Sequence, residues 1–299
     1  MTKDDLHGFV PAVVTPFSND GEILEDDYCA MVEWLIGLGA TGICVAGDNG
    51  ESWALSANER GRLTARARDV ARGRAWIMTG CSAPTLDGSL AYAREAAANG
   101  AQALLMMPPT YVLKGSRGEI LRRYESVSKE IDLPIVLYNS PRRVGYSLGL
   151  EDLDAVMQIA PVIGIKESHR DFFHHSHLLD KFRERLSIMI GPCHYILPGL
   201  ALGAKGFIAT GPELLGAAAG RLVDLAKTAP GREHGELHIK LTTVYELLMG
   251  LGTWPAAFKA ALNLIGQPAG VPRDPVLALD PAQIAGLRSS LNALGIETR

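Results

Sequence analysis

A lysine closes the apolar run "VIGIK" (residues 162–166), and a tyrosine stands near the end of "LPIVLYN" (residues 133–139). An ionised ammonium is costly to desolvate. Lys166 therefore either snorkels to water, pairs with the adjacent Glu167, or is buried for chemistry. The chemistry open to it is nucleophilic. As a free amine it attacks a ketone or aldehyde and forms a Schiff base. The protonated imine then withdraws electrons from the neighbouring carbon. Holding such an amine half neutral near pH 7 takes about 4.6 kcal/mol of bias against its charged form. Desolvation and cationic neighbours both push that way. Imine formation also needs a proton donor, and Tyr138 on the preceding apolar run could shuttle one.

Both residues sit at the ends of short apolar runs, and the chain alternates such runs with helical patterns. Candidate strands cover residues 9–17, 41–47, 75–80, 102–108, 133–139, 162–166, 186–191 and 205–210. The helical stretches that follow them cover 25–38, 57–71, 86–98, 116–130, 150–158, 172–182, 195–202 and 213–227. Ser56, with Glu59 three residues on, makes a capping-box start for the second helix. Near-continuous apolar strands suit a parallel sheet covered on its outside. Eight strand–helix units predict an α/β fold, a (β/α)8 (TIM) barrel over 1–228. A doubly wound sheet is the competitor, and the lack of G-x-G-x-x-G after the first strand weakens it. Beyond residue 228 the strands stop. Residues 234–251, 254–265 and 281–294 read as helices of a C-terminal helical domain, 229–299. In such barrels the chemistry gathers at the C-terminal ends of the strands. Those ends carry "GDNGES" (47–52), "PPTY" (108–111), "YNSPRRVG" (138–145), Lys166 with Glu167, "GPCH" (191–194) and residues 208–210.

Composition narrows the class. Of 299 residues, 47% are hydrophobic and 21% charged, a globular balance that argues against disorder. The net charge of −4, with no basic run, gives no field that attracts nucleic acid or anionic lipid. The four cysteines (Cys29, Cys44, Cys81 and Cys193) form no C-x-x-C pair, so neither a zinc ribbon nor a disulfide framework is expected. The opening "MTKDDLHGFV" lacks a signal-peptide apolar region, and no stretch approaches the roughly 18 apolar residues of a membrane span. The expectation is a cytoplasmic protein with no nucleic-acid and no membrane partner.

"GDNGES", "LYNSPRRVG" and "GIKES", in this order and on the expected strands, resemble the dihydrodipicolinate synthase / N-acetylneuraminate lyase family, and the resemblance covers nearly the whole chain. "FVPAVVTPF" looks like that family's opening strand, and "FKAALNLIG" like a helix of its C-terminal bundle. The resemblance implies a barrel with a three-helix C-terminal extension and a homo-tetramer built as two tight dimers. It implies that Lys166 is the Schiff-base lysine and that Tyr138 relays protons to the imine. The backbone N–H groups of the Gly47–Ser52 loop, at Asp48, Asn49 and Gly50, would hold a pyruvate carboxylate, which suits an anion nest. Arg143 matches the arginine that binds the second substrate's carboxylate, and Tyr111 a tyrosine lent across the dimer interface. Ile208, at the end of the last strand, and His169, three residues past the lysine, are expected to contact substrate. No organic cofactor is implied, because the lysine itself is the electron sink.

The chain departs from the pattern. Asp48 and Asn49 replace the two threonines of the usual G-T-T-G-E-S, one of which passes a proton between two tyrosines. Asp48 either takes over that relay or abolishes it, and its charge would repel a bound carboxylate unless paired or protonated. Thr110 stands where a second aromatic is usual. Trp53 puts an indole in the region of the lysine-feedback site, so no feedback inhibition by L-lysine is expected. "GPCH" lacks the acids that read a nine-carbon sugar's hydroxyls. The H-H-x-H run (His174, His175, His177) is read as loop and exposed-helix histidines, with no metal expected. Glu51 is read as a carboxylate tying its loop to nearby N–H groups. The chain thus reads as a class I lyase or synthase acting on pyruvate or another 2-oxo acid. Condensation with aspartate semialdehyde, 4-hydroxy-tetrahydrodipicolinate synthase-like, is the specific expectation because Arg143 is in place. A 2-keto-3-deoxy sugar acid aldolase or dehydratase is the alternative because the threonine pair is missing. A catalytically silent sensor of a 2-oxo acid is the alternative of another class.

Overall fold

Alternate side chains along each strand fall into two separate apolar cores, and this alternation is what places the site. In the computed structural model, which describes residues 1–110 and 114–299, the strands are β1 (Gly8–Phe9), β2 (Gly42–Val45), β3 (Trp76–Gly80), β4 (Ala103–Met106), β5 (Ile135–Asn139), β6 (Val162–Glu167), β7 (Ser187–Ile190) and β8 (Gly206–Phe207). All pair in parallel, in the order β1-β8-β7-β6-β5-β4-β3-β2. The inner core gathers Val10, Cys44, Met78, Leu105, Val136, Tyr138, Met189 and Ile208. Their strand neighbours, such as Ile43, Leu104, Leu137 and Ile188, face the helices instead.

The first strand closes the cylinder differently from the expected run over 9–17. Regular pairing with β8 stops at Phe9, and on the side facing β2 Pro11 has no N–H to give. Closure continues through single bonds. Val10 N–H donates to Phe207 O at 3.0 Å, and Cys44 N–H donates to Pro11 O at 3.0 Å. The edges meet so tightly that a Cβ on Gly206 would lie 2.2 Å from the Gly8 carbonyl oxygen, so glycine is required there. The result is a nearly closed (β/α)8 barrel.

The covering helices are α1 (Glu25–Gly37), α2 (Ala57–Ala71), α3 (Leu86–Ala98), α4 (Arg117–Glu130), a short α5 (Pro141–Val144), α6 (Leu150–Met157), α7 (Phe172–Phe182), α8 (Ile196–Ala201) and α9 (Ala218–Leu225). The Ser56–Glu59 capping box starts α2, and a second box, Ser116 with Glu119, starts α4. The helix expected over 213–227 divides. A 3-10 turn at Pro212–Leu215 is separated from α9 by Gly216, whose φ of +60° no regular helix takes up. The C-terminal part forms α10 (Arg232–Gly250), α11 (Ala256–Leu264) and α12 (Pro281–Ala293). Leu241, Val244, Phe258 and Leu262 are buried and continue the outer core of the barrel. The expected boundary at 228 falls in the turn between α9 and α10. No helix among the described residues is long and apolar enough to cross a membrane.

Candidate active site

Strand alternation turns Lys166 inward. Gly164, two residues before it, is packed so tightly that a Cβ there would lie 2.4 Å from the Leu6 side chain, and Ile165 and Glu167 face outward. Lys166 is 4% exposed, and its Nζ lies 4.4 Å from the centre of the Tyr138 ring, its register partner on β5. Among the described residues it has no hydrogen-bond acceptor and no ion-pair partner. Burial lowers its affinity for the proton; Asp48 opposes that shift and Arg143 adds to it. Cys44 beneath it is pushed up to about 11 by burial, so it is a neutral thiol at pH 7.

The Lys166–Glu167 pair considered from sequence does not form. Glu167 is fully buried on the other face of β6 and accepts Asn139 Nδ2–H at 2.9 Å and His169 N–H at 2.7 Å. His174 Nε2 completes its surroundings at 3.2 Å. Burial works against a charged His174, but the Glu167 contact outweighs it and the imidazole is raised above its ordinary value. Asn139 Oδ1 in turn accepts Leu148 N–H at 3.0 Å. This network ties β5 to β6 one residue beyond Tyr138 and Lys166.

Asp48, the residue that departs from the family pattern, sits against the tyrosine. Its Oδ2 accepts Tyr138 OH at 2.9 Å and Arg143 Nε–H at 2.8 Å. The expected repulsion is therefore answered by an ion pair with Arg143. Burial first, and then the Asp48 charge, raise the Tyr138 phenol well above its ordinary value. Burial alone would weaken the charge on Arg143, but Asp48 more than compensates and raises it.

The loop after β2 makes a 3-10 turn at Asp48–Gly50. Gly50 N–H donates to Gly47 O at 3.0 Å and its carbonyl accepts Thr15 Oγ1–H at 2.9 Å. A Cβ at Gly50 would meet the Val13 carbonyl at 2.7 Å. Of the three N–H groups expected to hold a carboxylate, Gly50's is thus already used. Those of Asp48 and Asn49 have no acceptor among the described residues. The Asn49 side chain is used as well. Its Nδ2 donates to Thr210 Oγ1, and its Oδ1 accepts Trp254 Nε1–H at 2.6 Å. Glu51 is fully buried, 2.5 Å from Lys259 Nζ, and accepts Arg273 N–H at 2.9 Å. It therefore ties the loop to the C-terminal helices through an ammonium as well as an N–H.

Lys166, Tyr138, Asp48, Asn49, Arg143 and Ile208 line one cleft at the C-terminal mouth. His169 does not. Its backbone turns outward to bond Glu167, its Nδ1 accepts Asp171 N–H at 2.9 Å, and its ring stacks on His174. Its neighbours Ser168 and Arg170 line the cleft in its place. The histidine reading is also corrected. His175 is fully buried with Nε2 2.7 Å from His169 O, and of the three histidines on α7 His177 alone is exposed. Among the described residues no group of three or more His, Cys, Asp or Glu is arranged to hold a metal ion. Tyr111 lies outside the described residues. Sequence reasoning missed Arg142, Arg170, Tyr245 and Trp254. The first two stood beside motif residues, whereas Tyr245 and Trp254 reach the cleft from the C-terminal extension.

A (β/α)8 barrel with polar and ionisable groups gathered at the C-terminal mouth around one buried amine is the class that fold and cleft define. More particularly, residues 5–294 match the model of the dihydrodipicolinate synthetase family, and the chain belongs to that family of lyases. It is 30% identical over 300 residues to an uncharacterised DapA-like lyase of Pyrobaculum aerophilum, covering 97% of this chain and 99% of the relative. It is 29% identical over 288 residues to a 4-hydroxy-tetrahydrodipicolinate synthase of Synechococcus, covering 95% and 92%. Among solved structures it resembles dihydrodipicolinate synthase from Acinetobacter baumannii, described as complexed with pyruvate, at TM-score 0.90 and 25% identity over 97% of this chain and 99% of that one.

Proposed function

We propose that the protein is a Schiff-base-forming lyase or synthase acting on pyruvate or another 2-oxo acid. The observation that carries this reading is Lys166 Nζ, buried, without an acceptor among the described residues, and 4.4 Å from the Tyr138 ring. Neutral Nζ adds to the C2 carbonyl of the 2-oxo acid and forms a C–N bond. The carbonyl oxygen takes up protons and leaves as water, giving the protonated imine. Loss of a proton from C3 gives the enamine. That carbon then attacks an aldehyde, whose oxygen takes up a proton as the C–C bond forms. Cleavage is the reverse sequence, and a hydroxyl leaving from C4 as water is the dehydratase variant. Tyr138 carries protons to and from the imine, with Asp48 as the group its hydroxyl leans on. The free N–H groups of Asp48 and Asn49 hold the carboxylate. The lysine is the electron sink, so this route needs no organic cofactor.

Two second-substrate readings rest on different observations. Condensation with aspartate semialdehyde draws on the guanidinium groups gathered at the mouth, which suit a second carboxylate. Cleavage or dehydration of a 2-keto-3-deoxy sugar acid draws on Asp48, a carboxylate bonded to the tyrosine and able to take a hydroxyl proton through it. A panel of aldehyde acceptors and keto-deoxy acids separates the two. The family resemblance also supports a homo-tetramer, which sedimentation velocity tests. The imine reading itself is tested by borohydride reduction with pyruvate followed by mass spectrometry. A pyruvyl adduct on Lys166 is expected. Failure with pyruvate and with several other 2-oxo acids overturns the reading in favour of a 2-oxo acid sensor.

A further inference from the structure

Arg142, Arg143 and Arg170 all line the cleft that ends on Lys166, and Asp48 is the one carboxylate among the described lining residues. Asp48 is taken by Arg143. Arg142 and Arg170 have no carboxylate partner among the described residues, and both are exposed residues of the cleft lining. Each is fixed by its surroundings. Arg142 belongs to α5, which opens on Pro141, and its Nη1 lies 3.7 Å from Met249 Sδ on α10. The Arg170 carbonyl accepts Tyr195 OH at 2.7 Å. Burial, and then the neighbouring Arg143 charge, lower the proton affinity of Arg142, with Arg170 adding to the effect. The mouth is thus an uncompensated cationic rim above a buried amine. Planar guanidinium forks suit carboxylate and phosphate oxygens.

We propose that Arg142 and Arg170, rather than Arg143, form the subsite for a second anionic group, so that the cleft selects substrates with a distal carboxylate or phosphate. This rests on the imine reading above. A bound molecule is held at two points: its carbonyl carbon at Lys166 and its acidic tail at the rim. Arg143 serves instead as the counter-ion that keeps Asp48 in place beside Tyr138.

The test measures borohydride trapping on the full-length protein against concentration for three probes of similar length: 2-oxoadipate, 2-oxo-5-phosphonopentanoate and the uncharged-tail 2-oxohexanoate. Pyruvate is run alongside. The wild type is expected to half-saturate at about tenfold lower concentration with an acid-tailed probe than with 2-oxohexanoate. Preference for the carboxylate or for the phosphonate tail decides which anion the rim takes. In R142Q/R170Q the ratio collapses to near equality, and in R142K/R170K part of it returns. Because each variant is read as a ratio within one sample, partial loss of folded protein cancels. A pyruvyl adduct without preference for either acidic tail, or a preference that survives R142Q/R170Q, overturns the subsite alone. No adduct with any of the four compounds overturns the imine reading and the subsite with it.

Discussion

Two lysines among the described residues are buried, and they differ in what surrounds them. Lys259, on α11, is 1% exposed. Its Nζ donates to Thr15 O and Val271 O, each at 2.7 Å, and sits 2.5 Å from Glu51. Burial pulls it down to about 8, with Glu51 opposing, so it keeps its proton at pH 7. Lys166 is as deep but has no acceptor among the described residues, and its contact is the face of an aromatic ring. A saturated ammonium is a cross-link, fixing the loop that carries Asp48 to the C-terminal helices. An ammonium without acceptors is one whose charge burial disfavours with no hydrogen bond to offset it. Burial alone does not tell the two lysines apart; their acceptors do.

The widest contrast comes from deleting each amine. Lys166→Ala is expected to abolish borohydride trapping and lower turnover by about 10^4-fold. Its thermal midpoint should stay within the scatter of the wild type, because no hydrogen bond among the described residues is lost. A destabilised but still trappable variant breaks the comparison. Lys259→Met should do the opposite and destabilise the fold by about 3 kcal/mol in denaturant titration, since it strands a buried carboxylate. Adding Glu51→Gln should recover part of that loss. Equal stability of the single variant would show that the Glu51 pair holds nothing.

Asp48→Asn gives a smaller effect, a loss of roughly 10- to 100-fold in turnover. It removes the charge that raises the Tyr138 phenol after burial, so the phenol's proton affinity falls. It also removes a charge that favours the protonated Lys166 amine. Trapping increases as pH rises through the amine's titration, so the variant's midpoint should move to lower pH than in the wild type. An unmoved or upward midpoint rules Asp48 out of the site's electrostatics. The smallest expected effect is none: millimolar L-lysine should leave activity unchanged, consistent with Trp53 half exposed beside the loop. A micromolar inhibition constant would reverse that expectation.

The strand–helix alternation was legible because each apolar run and each helical stripe is a local pattern. The strand positions of Lys166 and Tyr138 were legible for the same reason. A two-residue period and a strand end fix which face a side chain takes and how near the mouth it lies. The histidines were not, since the fate of His169 and His175 depends on how the chain turns after β6 to satisfy the buried Glu167. The split of the last barrel helix was half legible: Gly216 was in view, but not its backbone angle.

By itself, then, the sequence determined the barrel, the C-terminal helices and the strand end on which Lys166 stands. Only the tertiary structure decided how its charges are partnered. Asp48 meets Arg143 across 95 positions of sequence, and Asn49 meets Trp254 across 205. No periodicity encodes such pairs. They arise where loops from different strands converge on one mouth, and each polar group there takes whichever partner the packed backbone brings within reach.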